Sequence, residues 1–154
     1  MHLIRSHIVI ALLLVSAISA VPQKNSGWII FSANKSHYWM YSLKRITRSP
    51  KGAVRMWVKQ TPSHEALASG STKRELIAKR EELGLTTRGY ENWSYSLIQF
   101  DLKCRQRKTR FLMRVDYNSD GNVLDTHEET GQWDEVVPDS VAERMLNVAC
   151  GRRK

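Results

Sequence analysis

The stretch "SLIQFDLKCRQRKTRFLMRVDY", residues 96–117, predicts two antiparallel strands joined by a basic turn. Apolar and polar side chains alternate on both sides of the turn, which is typical of strands with one buried face. The first strand is predicted to present one apolar row: Ile98, Phe100, Leu102 and Cys104. The second strand is predicted to do the same with Phe111, Met113, Val115 and Tyr117, opposite Arg110, Leu112, Arg114 and Asp116. Cys104 therefore points toward a core.

Further strands are predicted on either side of this pair. Aromatic, β-branched or alternating runs mark them at 27–34, 37–48, 53–60 and 122–129. The turn signal "NSDGN" at 118–122 links two of them, so consecutive strands form an antiparallel meander. Good helix formers at 72–83 predict a surface helix or a partly ordered excursion between strands.

The C-terminal part predicts a helix from Val141 to Cys150. Ser140 and Glu143 form a capping box, which satisfies free N–H groups where a helix begins. Met145, Leu146 and Ala149 fall on a common apolar side, together with Val141, Ala142 and Cys150. The residue composition therefore predicts a helix that packs one face on the sheet.

The chain has two cysteines, Cys104 and Cys150. Outside the cytosol such a pair favours a disulfide, which here would join the terminal helix to the sheet. The absence of a C-x-x-C spacing gives no support to thioredoxin-like chemistry, and the scattered histidines give none to a zinc site.

Residues 1–20 are typical of a secretory signal peptide: a cation at Arg5, an apolar run of about 13 residues and a small-residue end at Ala20. The run is short of the roughly 20 residues that a membrane span needs. We expect an exported protein, periplasmic or secreted, without stable membrane insertion. The residue directly after Ala20 is Val21, so no cysteine stands at the predicted cleavage site to accept a lipid. The expected domain spans 21–150, and 151–154 form a basic tail.

The predicted fold class is α+β: a single antiparallel sheet of about six strands, with a C-terminal helix packed on one face and tethered by the disulfide. The order and spacing of ten residues in this frame resemble the surface-adhesin protein E family of small exported bacterial proteins. These residues are Trp57, Cys104, Arg107, Tyr117, Gly121, Trp133, Pro138, Ser140, Glu143 and Cys150. The resemblance covers about 28–150 and implies the same sheet, helix and disulfide.

The resemblance also implies a location in the bacterial envelope and, for the family's namesake, adhesion to host matrix and plasma proteins. The namesake is a lipoprotein, whereas this chain lacks a cysteine at the predicted cleavage site. We therefore carry over the fold and the disulfide, and not the host ligand.

The net charge of +9 favours acidic partners, such as nucleic acid, anionic lipid headgroups or acidic glycans. The candidate binding surface comprises Arg55, Trp57, Lys59, Arg105, Arg107 and Arg110. Trp57 lies between two cations on the outer side of a strand, so a partner or homodimer contact is expected there.

Asp116, Asn118 and Asp120 match the start of a calcium loop, but His127 stands where a bidentate glutamate is required. The same residue types form ordinary hairpin turns, and we expect no metal and no cofactor. Neither a nucleophile elbow nor a spaced carboxylate pair accompanies the histidines. We expect a non-enzymatic interaction domain that binds a protein. The alternatives are a periplasmic module for an anionic ligand and a small enzyme.

Overall fold

A computed structural model describes residues 27–49, 52–129 and 131–151. The predicted signal peptide at 1–20 and the last three residues of the basic tail lie outside this part of the chain. The strands are β1 (Ile29–Ala33), β2 (His37–Arg48), β3 (Val54–Pro62), β4 (Trp93–Lys103), β5 (Lys108–Asn118), β6 (Val123–Glu128) and β7 (Asp134–Glu135). The helices are α1 (His64–Ser69), α2 (Ser71–Glu82) and α3 (Val141–Cys150), with a 3-10 turn at Tyr90–Asn92.

The sheet is an antiparallel meander in the order β1-β2-β3-β4-β5-β6. The short β7 also pairs with β5, at Lys108 and Thr109, whereas β6 pairs with the later part of β5. The predicted fold class is confirmed, and six long strands were predicted within a few residues of their observed ends.

Alternation along β3 separates the two faces of the sheet. Val54, Met56 and Val58 are at most 1% exposed, whereas Arg55 and Trp57 between them are half-buried. The face of the buried residues, here called the covered face, receives α3. Its core consists of Tyr41, Val54, Met56, Val58, Leu102 and Val136 from the sheet side, with Met145, Leu146 and Ala149 from α3.

The start of α3 follows the predicted capping box. The Ser140 hydroxyl accepts a hydrogen bond from the Glu143 N–H at 3.1 Å. The Glu143 carboxylate accepts one in return from the Asp139 N–H at 2.8 Å, one residue before the cap. The free N–H groups of Asp139 and Glu143 are therefore both satisfied, which fixes the beginning of α3.

The disulfide joins Cys104, just beyond β4, to Cys150 at the last turn of α3, with the two Cα atoms 5.7 Å apart. Both residues pack against the core of the covered face. The bond thus anchors the end of α3 opposite to the one held by the cap.

The segment before β4 contains two helices where one was predicted. Gly70, at φ 64°, ends α1 and precedes α2, because a left-handed residue interrupts the helix. Helix α2 lies on the covered face, where Arg80 approaches Asp116. It is held by buried Thr72 and Arg80 rather than by an apolar stripe, and Leu83 after it is 60% exposed.

The prediction that Phe111, Met113, Val115 and Tyr117 of β5 share one face is wrong. Phe100 pairs with Phe111, but Gln99 pairs with Met113, so Leu112 is an extra residue in a bulge. A bulge reverses the alternation beyond it. Phe111 therefore contacts Phe100 on the covered face, while Met113, Val115 and Tyr117 share the opposite face with Arg110.

Breaking the disulfide should destabilise the fold. The bond closes a loop with a sequence separation of 46, which the chain-entropy model values at about 4 kcal/mol. We expect reductant to lower the Tm by more than about 10 °C in a thermal unfolding scan. The double variant Cys104→Ser/Cys150→Ser should match the reduced protein, since neither contains the cross-link. Equal Tm values for the oxidised and reduced protein would contradict a stabilising bond.

Candidate functional site

The sheet face opposite α3 carries the candidate site, and we call it the basic face. It is formed by Arg55, Trp57 and Lys59 of β3, Tyr95, Asp101 and Lys103 of β4, Arg110 and Tyr117 of β5, and Trp133 before β7.

At one end of the basic face, two arginines hold the carboxylate of Asp101 between them. Register places Asp101 directly between Arg55 and Arg110 on the neighbouring strands. Arg55 donates from Nε and Nη2 to the two Asp101 oxygens at 2.8 and 3.0 Å, and Arg110 donates from Nη2 at 2.9 Å. The Asp101 side chain is only 3% exposed, so its charge is compensated by these partners and hardly by water.

The arginines also set the protonation state of this group. Hydrogen bonds from Arg55 lower the pKa of Asp101; burial opposes the shift, and Arg110 adds to it. The same hydrogen bonds raise the pKa of Arg55. Asp101 is therefore ionised at neutral pH, and Arg55 remains cationic.

Trp133 lies beside this group. The Lys103 ammonium is 4.3 Å from the Trp133 ring centroid, and the Arg110 guanidinium carbon is 4.7 Å from it. Gly131 lets the chain come this close to β5, because a Cβ there would lie 3.2 Å from the Phe111 carbonyl oxygen. A cavity of about 460 Å³ is lined by Trp133, Lys103 and Arg110, together with Asp101 and its neighbours.

A second aromatic group occupies the other end of the face. The rings of Tyr95 and Tyr117 stack with centroids 4.8 Å apart and an interplanar angle of 11°. The Lys59 ammonium lies 4.1 Å from the Tyr95 centroid, and burial lowers the pKa of Lys59. Arg45 covers Trp28 in a similar way at 5.5 Å. Cation–aromatic pairs therefore recur along this face.

The structure separates the predicted surface residues into two groups. Arg55, Trp57, Lys59 and Arg110 lie together on the basic face. Arg105 and Arg107 are exposed in the turn after β4. Arg107 forms an ion pair with Glu143, which connects it to the start of α3.

Several residues of the site were not among the predicted ones: Tyr95, Asp101, Lys103, Tyr117 and Trp133. The pairing of β3 with β4 would have placed Asp101 beside Arg55, since each is a charged residue that alternates with the apolar residues of its strand. Trp133 carries no such signal, because it follows a non-repetitive segment.

The residues of the calcium-like stretch have other partners. Asp116 is 4% exposed and accepts hydrogen bonds from the Tyr90 hydroxyl at 2.8 Å and Arg114 Nε at 2.7 Å, and from Ser96. Asn118 Oδ1 accepts from the N–H groups of Asp120 and Asn122 at 3.0 and 2.8 Å, which forms a hairpin turn. No group of three or more potential metal ligands occurs in the described ranges.

A buried charge network surrounds Asp116 on the covered face. Arg80 of α2 donates to Asp125 and to the Thr86 carbonyl, both at 2.7 Å, and its guanidinium lies 4.1 Å from the Tyr90 ring centroid. Burial, followed by the hydrogen bond to Asp116, raises the pKa of Tyr90. The network joins α2 to β5 and β6.

These features define a disulfide-linked α+β domain whose sheet exposes a basic and aromatic face. A family model described as Surface-adhesin protein E matches residues 28–151, and the chain belongs to that family. No curated protein and no solved structure gives a significant match to it. Across the described part of the chain, no helix has the length and apolar character needed to cross a membrane.

Replacing Asp101 should destabilise the domain in a pH-dependent way. In Asp101→Asn two arginines lose their charged partner, which costs about 2 kcal/mol of unfolding free energy at neutral pH. Because folding lowers the pKa of Asp101, its contribution is present above the unfolded value of about 3.9 and is lost as the pH falls through the folded one. Urea unfolding should show the difference from wild type shrinking below about pH 4.

Asp134→Asn provides the control, since Asp134 is exposed in β7. It should change stability by less than about 0.5 kcal/mol at neutral pH. An Asp101→Asn protein as stable as wild type at neutral pH would contradict the role assigned to this carboxylate.

Proposed function

We propose that this protein is an exported, non-enzymatic interaction domain that binds an acidic surface of a protein partner through its basic face. The observation that carries the proposal is the composition of that face. It combines Arg55, Lys59, Lys103 and Arg110 with aromatic rings, and its buried carboxylate, Asp101, is compensated by two arginines.

Arginine and aromatic side chains are enriched at protein interfaces and in their energetic centres. The stacked pair Tyr95–Tyr117 and the half-buried Trp57 supply rigid apolar area, while the surrounding cations supply charge complementarity. An acidic partner fits this combination, and the net charge of +9 would speed its association.

Membership of the surface-adhesin protein E family supports a role in binding outside the cytosol. The predicted signal peptide and the Cys104–Cys150 disulfide agree with it, since disulfides persist in oxidising compartments. The protein acts in the periplasm or after secretion, and a second copy of the chain is one partner to be tested.

Two variants of the basic face test the proposal, together with a control that removes the same charge as one of them. The oxidised full-length protein is used to capture a partner from envelope and host extracts, and the Kd of the purified partner is then measured by biolayer interferometry. Lys59→Gln and Trp57→Ala should each weaken binding by about tenfold or more, the effect of a central interface residue. Binding should also weaken as the ionic strength increases.

The control is Lys79→Gln, which removes the same charge from an exposed position of α2. It should change the Kd by less than about twofold, as expected of a residue outside the interface. Equal Kd values for all the variants and the wild type would contradict the use of the basic face. Size-exclusion chromatography identifies the case in which the partner is a second copy.

A further inference from the structure

The cavity beside Trp133 has the properties of a site for one particular group of the partner. We call it the Trp133 pocket; its lining residues are Ser49, Ala53, Arg55, Asp101, Lys103, Arg110 and Trp133. Its volume of about 460 Å³ is enough for a side chain or two, and lies within the usual range for ligand pockets.

The donors of this pocket exceed its acceptors. Arg55 uses Nε and Nη2 on Asp101, and Arg110 uses only Nη2. Arg110 Nε is buried without a hydrogen-bond partner among the described residues. A buried donor without a partner costs free energy, so Asp101 does not exhaust the hydrogen-bonding capacity of Arg110. The Arg110 side chain is 28% exposed, and this exposed part can meet an arriving acceptor.

The charges of the lining residues also favour an anion in this pocket. Three cations, Arg55, Lys103 and Arg110, surround the single carboxylate of Asp101. The Trp133 ring lies against two of them, at 4.3 and 4.7 Å. An aromatic wall displaces water and strengthens the attraction between these cations and an anion. The pocket is therefore pre-organised for negative charge.

The donor set suits a carboxylate. Guanidinium groups present planar forks that match paired oxygens, those of a carboxylate among them. A sulfated polysaccharide would instead be bound best by a continuous row of free cations. That row is interrupted in the pocket, because Arg55 and Arg110 are both paired with Asp101.

We propose that the Trp133 pocket receives the carboxylate of an aspartate or glutamate side chain from an acidic segment of the partner protein. Lys103 and Arg110 bind the carboxylate, and Asp101 holds the two arginines in place. This inference rests on the proposed function and names the group that the basic face recognises.

Fluorescence anisotropy of a labelled oligoglutamate peptide tests the pocket in the oxidised full-length protein. Lys103→Gln and Arg110→Gln should each raise the Kd by about tenfold, the effect of losing a charged hydrogen bond. Arg105→Gln removes the same charge from the exposed turn and should change the Kd by less than about twofold, as expected of a screened surface charge. An oligoglutamine peptide should not bind.

Lys103→Gln keeps the test decisive if Arg110→Gln disturbs the fold, because Lys103 makes no hydrogen bond to Asp101 among the described residues. Equal losses for Lys103→Gln and Arg105→Gln would show diffuse charge attraction and overturn the proposal. Tighter binding of heparin with the same dependence on Lys103 would overturn it in favour of a glycan. Free glutamate binding as tightly as the peptide would overturn the partner segment in favour of a small ligand.

The purified partner separates this inference from the proposed function. If its binding depends on Trp57 and Lys59 but not on Lys103, the pocket is excluded while the basic face keeps its role. If it depends on none of the three residues, both proposals fail.

Discussion

The attachment of α3 to the sheet by the Cys104–Cys150 disulfide determines which face of the sheet remains available. Leu102 and Asp101 are neighbours on β4, and alternation sends them to opposite sides. Leu102 is buried beneath the helix, whereas Asp101 meets Arg55 and Arg110. Because the bond fixes α3 beside Leu102, the arginine-bound carboxylate lies on the face that α3 does not cover. The register of β4 with its two neighbouring strands therefore determines both the core and the candidate site.

Both faces bury a carboxylate, but they compensate it differently. Asp116 lies under α2 with Arg114, Tyr90 and Ser96, and Arg80 is committed to Asp125. Charges and hydrogen bonds nearly balance there, which suits a network that holds the fold together. Around Asp101 the cations outnumber the carboxylate, and Arg110 Nε has no partner in the described part of the chain. Only the second arrangement leaves attraction for an external anion.

Sequence periodicity was sufficient to predict the six long strands and α3, and insufficient to predict which side chains of β5 lie on each face. The strand at 37–48 follows from its aromatic residues. The helix at 141–150 follows from the Ser140 cap. The face of β5 could not be predicted, because the bulge at Leu112 depends on pairing with β4 and reverses the side chains beyond it. The break at Gly70 left a weaker signal than the long helical run that follows. Trp133 reaches the site through a close approach of Gly131 to β5, which is a tertiary contact.

The residues that carry the family resemblance explain why family membership defines the fold better than the ligand. Cys104, Cys150, Ser140, Glu143 and Arg107 all hold α3, through the disulfide, the cap and the ion pair at its start. Arg107 and Arg110 come from one basic cluster in the sequence, yet one is paired with Glu143 and the other borders the pocket. The cations of the basic face, Arg55, Lys59, Lys103 and Arg110, are outside the set of residues that define the resemblance. The resemblance thus includes three aromatic residues of the basic face, Trp57, Tyr117 and Trp133, but none of the cations to which our proposal assigns the binding of a partner.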